Sequence, residues 1–144
     1  MSAAAETTGP LGLLGQMDLP GVAESVGQAR RYVHRLLTSL GHNEVDDIVL
    51  LVSEVVSNAV RHSDSRRPGG RVTLTLASIG DVLHVEVTDA GSATSSPIEP
   101  KDAAPDDAGG RGLWLVNELA TAWGWHEVPN GRVVWFQTKR DQGS

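Results

Sequence analysis

The sequence predicts an α+β fold: a two-layer sandwich with helices on one face of a mixed, mainly antiparallel sheet. Three observations point there. Residues 22–40 and 43–63 repeat apolar side chains at helical spacing. Residues 71–88 instead alternate apolar and polar side chains on either side of a short turn, as half-buried hairpins do, and residues 123–138 read as a second strand pair around Pro129-Asn130-Gly131. The strands therefore come in pairs, with no repeating βα unit that would build a parallel sheet. At 144 residues, 40% hydrophobic and 21% charged, the chain suits one domain with one core.

The elements follow in order. Residues 1–10 are small and polar and are expected to be a disordered tail ahead of a single domain at 11–139, with 140–144 a polar tail. Residues 11–19 predict a short edge strand weakened by two glycines, and Pro20-Gly21 a turn. In the first helix Val22, Val26, Ala29, Val33, Leu36, Leu37 and Leu40 share a side, with Gly41 as the stop signal. Arg30, Arg31 and Arg35 make a face that is either solvated or a partner surface. His34 and His42 have no companions at metal-ligand spacing and read as surface residues.

The second helix carries Val45, Ile48, Val52, Val55, Val56, Ala59 and Val60 as a broad apolar stripe. Asn43 is placed to cap it, and Asp46 and Asp47 suit the positive end of its dipole. Its many β-branched residues give modest intrinsic propensity, so packing must hold it. Residues 71–79 and 82–88 then alternate around Gly80-Asp81, a dipeptide that favours a hairpin. On this alternation His84 is an exposed strand residue. Residues 92–110 hold three prolines and no periodicity, which marks a functional lid or a disordered excursion. A helix is expected from Leu113 to about Ala122, then strands at 123–128 and 132–138 around Pro129-Asn130-Gly131. Trp123, Trp125, Trp135 and Phe136 read as core or rim residues, since no basic groove pairs them into a base-stacking platform.

Several function classes are disfavoured. No apolar run approaches the roughly 20 residues needed to span a bilayer. The first residues lack the basic start and apolar segment of a signal peptide, so the cytoplasm is the expected location. Cysteine is absent, which removes disulfides and thiolate metal sites. A net charge of −6 argues against nucleic acid as the main ligand. The local basic residues Arg61, Arg66, Arg67 and Arg71 read as a solvated loop.

Three features carry chemistry. Glu54 and Asn58 lie four apart, hence on one helix face, and His62 and Ser63 continue their line. That row is either the polar rim of a core helix or a carboxylate and an amide oxygen set for Mg²⁺, a hard cation that prefers such oxygens. Asp89 ends a buried strand two residues before Gly91; alone it could simply cap a turn. Gly109, Gly110 and Gly112 approach the start of a helix, where free backbone N–H groups and the dipole favour phosphate, although glycines also merely begin helices.

Together and in this order the motifs resemble the nucleotide-binding domain shared by gyrase, Hsp90, histidine kinases and MutL, a Bergerat-type ATP-binding fold. Within it, residues 20–138 look most like small stand-alone actinobacterial proteins related to anti-sigma-factor serine kinases. SEVVSNAVRHS matches the first motif, VTDAG the second, GGRGLWLVNELA the third, and WGWHEVPNGRVVWF resembles the closing hairpin. The resemblance implies ATP and Mg²⁺ as ligands. It implies Glu54 as the base or water-positioner, Asn58 as the Mg²⁺ ligand, and His62 as part of the nucleotide site. Asp89 would accept from the adenine amino group and Gly91 would let the ring approach. Gly109, Gly110, Arg111, Gly112 and Leu113 would wrap the phosphates. In kinase members the γ-phosphoryl goes to a serine on an antagonist protein.

Two positions depart from the pattern. Ala108 stands where phosphorylating spore-former relatives carry a lid arginine, and Val133 stands where many relatives place Ser or Thr near the adenine. No phosphoacceptor helix precedes the domain, so a complete histidine kinase is not expected. The leading expectation is an anti-sigma-factor-type serine/threonine kinase that binds a sigma factor and phosphorylates a STAS-type antagonist. Its rivals are a nucleotide-dependent protein-binding switch without phosphotransfer and a scaffold that binds no nucleotide. The resemblance also allows a homodimer through the first helix or the sheet edge.

Overall fold

The computed structural model describes residues 12–62, 67, 69–91, 116 and 118–139. Among the described residues, two full helices cover one face of a five-stranded sheet. In chain order the elements are β1 (Gly12–Pro20), α1 (Glu24–Ser39), α2 (Val45–His62), β2 (Arg71–Ile79), β3 (Val82–Asp89), β4 (Ala122–Val128) and β5 (Gly131–Lys139). The sheet order is β1-β2-β3-β5-β4. All four pairings are antiparallel, so the mainly antiparallel sheet expected from the sequence is wholly so in its described strands.

The elements form for local reasons. α1 buries Ser25, Ala29, Val33 and Leu37, which recur at four-residue steps. It begins two residues later than expected, and Val22 is exposed. Its end is a Schellman motif. Gly41 takes φ +75°, its N–H donates to the Thr38 carbonyl, and the His42 N–H donates to the Leu37 carbonyl. α2 starts at Val45, two residues past Asn43, and buries Ile48, Leu51, Val52, Val55, Val56, Ala59 and Val60. Leu51, which the expected stripe omitted, is fully buried. The edge strand β1 pairs with β2 through an irregularity between Leu13 and Gly15. Tyr32 and Leu36 of α1 sit directly over Gly15, where any side chain would collide with them.

The core lies between the helices and one sheet face. Leu74, Leu76, Leu83, Val85, Val87, Val134 and Phe136 meet the α1 and α2 stripes, and Val116 joins them. The alternation of β2, β3 and β5 sends Thr75, His84, Glu86, Trp135 and Gln137 to the other face. His84 is half-buried there, not exposed as the alternation alone suggests. Its ring stacks on Trp135 with centroids 5.7 Å apart, and its two nitrogens lie 2.8 Å from Glu86 Oε2 and 3.0 Å from Gln137 Nε2. Trp135 in turn lies across Gly124 of β4, where a β-carbon would fall 2.9 Å from its ring.

Both hairpins follow their turn chemistry. Gly80, at φ +59°, joins β2 to β3 across the Ile79–Val82 pair. Pro129 and Asn130 join β4 to β5, and Asn130 takes φ +65°, as the third residue of a type II turn does. The helix expected from Leu113 to Ala122 is described only in part. Val116 is helical and buried, the Ala120 N–H donates to its carbonyl at 2.9 Å, and Leu119 is exposed. Ala122 already belongs to β4, so the helix stops earlier than expected.

Candidate functional site

The site is assembled by the way α2 crosses the sheet. α2 packs on β3 and β2, and the chain leaves its C-terminus through residues 63–70 to reach Arg71. β2 starts there, and its Thr73 lies opposite Thr88, next to Asp89. The last turns of α2 and the end of β3 therefore point toward the same end of the sandwich. Asn58 and Asp89 are the polar residues that these two elements bury, at 7% and 6% exposure. Glu54, one turn before Asn58 on the same helix face, is half-buried. His62 ends α2, and its side chain lies outside the described residues.

Asp89 closes a tight local loop. The Gly91 N–H donates to Asp89 Oδ1 at 2.5 Å, which fixes one oxygen of the carboxylate. Gly91 sits at φ +70°, a conformation that suits glycine. The backbone of Gly131 abuts it. A β-carbon on Gly91 would approach Gly131 at 3.5 Å, and one on Gly131 would collide with the Asp89 carbonyl oxygen. The two glycines thus form a bare-backbone wall beside a buried acceptor. A flat ring with an exocyclic amine fits such a wall, because nothing projects from it and the carboxylate offers the matching hydrogen bond. The buried amide of Asn58 adds an oxygen of the kind that a hydrated Mg²⁺ takes.

The structure corrects one expectation and adds one residue. Val133 lies opposite Thr88, on the sheet face away from Asp89. The β5 residue opposite Asp89 is Arg132, which is 4% exposed and whose guanidinium carbon lies 5.4 Å from the centre of the Trp125 ring. The register puts Arg132 on the same sheet face as Val134 and Phe136. The sequence could not show what stands across from it, because β3–β5 pairing joins residues some forty apart. Gly109, Gly110, Arg111, Gly112, Leu113, Ala108 and the segment 92–110 lie outside the described residues. The arginines of α1 stand on a separate surface. Arg30, Arg31 and Arg35, with His34, line an open depression of about 440 Å³ beside Gly27 and Val49.

The site is thus a buried carboxylate at a strand end and a buried amide on the neighbouring helix, under a helix layer on an antiparallel sheet. The chain belongs to the family described as the histidine kinase-like ATPase domain, which matches residues 19–138. It is similar to the serine-protein kinase RsbW of Bacillus subtilis strain 168, at 28% identity over 115 residues covering 72% of each chain. It is also similar to RsbW of Listeria monocytogenes strain EGD-e, at 25% identity over 74% of this chain and 66% of that one. Among solved structures, the RsbU and RsbW domains of a Mycobacterium tuberculosis protein superpose with a TM-score of 0.61 at 18% identity. That match covers 90% of this chain and 34% of the other. The histidine kinase domain of a blue-light activated kinase from Erythrobacter litoralis gives 0.54 at 22% identity, over 84% and 61%. At those identities the structural matches establish the fold. No helix among the described residues is long and apolar enough to cross a membrane.

Proposed function

We propose that the protein is a cytoplasmic regulatory kinase of the anti-sigma-factor type, which transfers phosphate from ATP to a serine or threonine of an antagonist and binds a sigma factor. One observation carries this reading. The described residues bury four polar side chains, Ser25, Asn58, Asp89 and Arg132. Ser25 is accounted for by its hydroxyl, which donates to the Pro20 carbonyl at 2.5 Å. Asn58 and Asp89 are the amide and carboxylate that the first two motifs single out. Burying a carboxylate and an amide costs free energy that an apolar residue would not, and a ligand-binding role explains why these two stand there.

Each residue then has a task. Asp89 accepts a hydrogen bond from the adenine amino group, and Gly91 and Gly131 let the ring lie against backbone. Guanine presents a carbonyl at that position and would leave the acceptor unmatched, at a cost of about 1–3 kcal/mol. Asn58 holds Mg²⁺ through its side-chain oxygen. Glu54, half-buried one turn earlier, orients the incoming hydroxyl and takes its proton. Bound ATP with Mg²⁺ supplies the phosphoryl group and most of the charge neutralisation, so the protein contributes mainly position. Residues 109–113 are assigned to the phosphates, with His62 close by. The exposed arginine row of α1 is the surface assigned to a protein partner, and a homodimer is compatible with the same arrangement.

Ala108 favours a second reading, a switch that binds nucleotide and partner without phosphotransfer, because no arginine stands at that lid position. The experiment that separates the two is transfer of labelled phosphate from ATP to a purified antagonist. Under the kinase reading transfer occurs, and Glu54→Ala abolishes it while ATP still binds. Absent transfer, with nucleotide-dependent partner binding retained, leaves the switch.

A further inference from the structure

Arg132 is the one buried cation among the described residues, and neither the motifs nor the reading above gives it a task. Burying a guanidinium at 4% exposure is unfavourable, and an apolar residue would continue the Val134 and Phe136 row of β5 at lower cost. Its place is specific. In the β3–β5 register it stands directly opposite Asp89, so the two side chains leave the same sheet face from adjacent strands. Opposite residues on an antiparallel pair have β-carbons about 4.5–5.5 Å apart, within reach of an arginine–carboxylate contact. On the other flank the β4–β5 register sets Glu127, which is exposed, across from Arg132. Trp125, one step along that face, holds the guanidinium under its ring at 5.4 Å.

Arg132 is the buried one of the cations on the elements around β3. Arg61 at the end of α2 and Arg71 at the start of β2 are exposed, and Glu54 is acidic. A buried carboxylate without a nearby cation is driven toward its protonated form, which carries a donor and accepts less well. One Asp89 oxygen is engaged by the Gly91 N–H. The second must stay charged and aimed if it is to read an amine.

We propose that Arg132 is the positioning residue for base recognition: across the β3–β5 pair it holds the Asp89 carboxylate ionised and oriented as an acceptor for the exocyclic amine. This rests on the reading of Asp89 given above. The nucleobase signal is set by a pair, Asp89 and Arg132, with Trp125 fixing the second member.

The test compares two ligands by calorimetry, ATP and purine riboside 5′-triphosphate, in which hydrogen replaces the 6-amino group. Wild type is expected to prefer ATP by about tenfold or more, the value of one hydrogen bond to a charged buried group. In Arg132→Met this preference should shrink to within about threefold, with the amine-free ligand bound nearly as before; Arg132→Lys should keep most of it. Arg132→Gln, polar and uncharged, takes the place of the methionine variant if that variant does not fold. A variant that weakens both ligands by the same factor, leaving the preference intact, would show Arg132 to be structural and overturn the proposal. A different failure marks the underlying reading: wild type that does not distinguish the ligands, or Asp89→Asn that leaves the preference unchanged, removes Asp89 as the reader and Arg132 with it.

Discussion

Asp89 shows how much a single residue can reveal and conceal. Its place at the end of an alternating strand and two residues before Gly91 was readable from the sequence, as was the i, i+4 relation of Glu54 and Asn58. These are local facts, set by the period of a strand or a helix. Arg132 was not readable as a site residue, because its neighbour across the sheet is fixed by a register between strands far apart in sequence. Val133 was singled out in its place, and a shift of one residue moved attention to the wrong face. The glycine wall yields a test at this scale. Gly131→Ala would push a β-carbon into the Asp89 carbonyl. The change should destabilise the protein by about 1–3 kcal/mol in urea unfolding, as overpacking does, and weaken ATP binding as Asp89 shifts. Unchanged stability and affinity would mean that the two backbones do not meet as described.

The elements were legible in kind and less so in their ends. Seven strands and helices follow from periodicity and turn residues, and Gly41 and Gly80 mark their boundaries with positive φ as their positions require. α1 begins late, because the apolar spacing that included Val22 reaches past the residues that pack. β1 tolerates Gly12 and Gly15 since Tyr32 and Leu36 fill the space over the second and β2 pairs along the strand on both sides of the irregularity at Leu14. α2 is the element on which the account depends most, for it carries both the core stripe and the Glu54–Asn58 row. Leu51 is fully buried and its neighbour Leu50 is 40% exposed. Leu51→Ala should therefore cost about 2–5 kcal/mol and Leu50→Ala less than about 0.5 kcal/mol, measured by chemical denaturation. Similar losses at both positions would contradict the orientation of α2, and with it the direction in which Asn58 points.

At the scale of the whole molecule, the two-layer class was readable because helical and strand periods occupy separate stretches, and the antiparallel sheet because its strands come as hairpins. The order β1-β2-β3-β5-β4 was not, since joining the two hairpins through β3 and β5 is a non-local choice that no turn records. That choice is what makes a site: it sets Asp89 at the seam between the hairpins, beneath the end of α2, and brings Arg132 and the Gly131 backbone to it. The central claim is that this seam binds ATP through Asp89, with Asn58 serving Mg²⁺. Calorimetric titration of ATP, with and without Mg²⁺, into wild type, Asp89→Asn and Asn58→Ala tests it most directly. Wild type should bind, Asp89→Asn should not, and Asn58→Ala should retain binding that no longer responds to Mg²⁺. No binding by wild type at millimolar ATP, or full binding by Asp89→Asn, would contradict it.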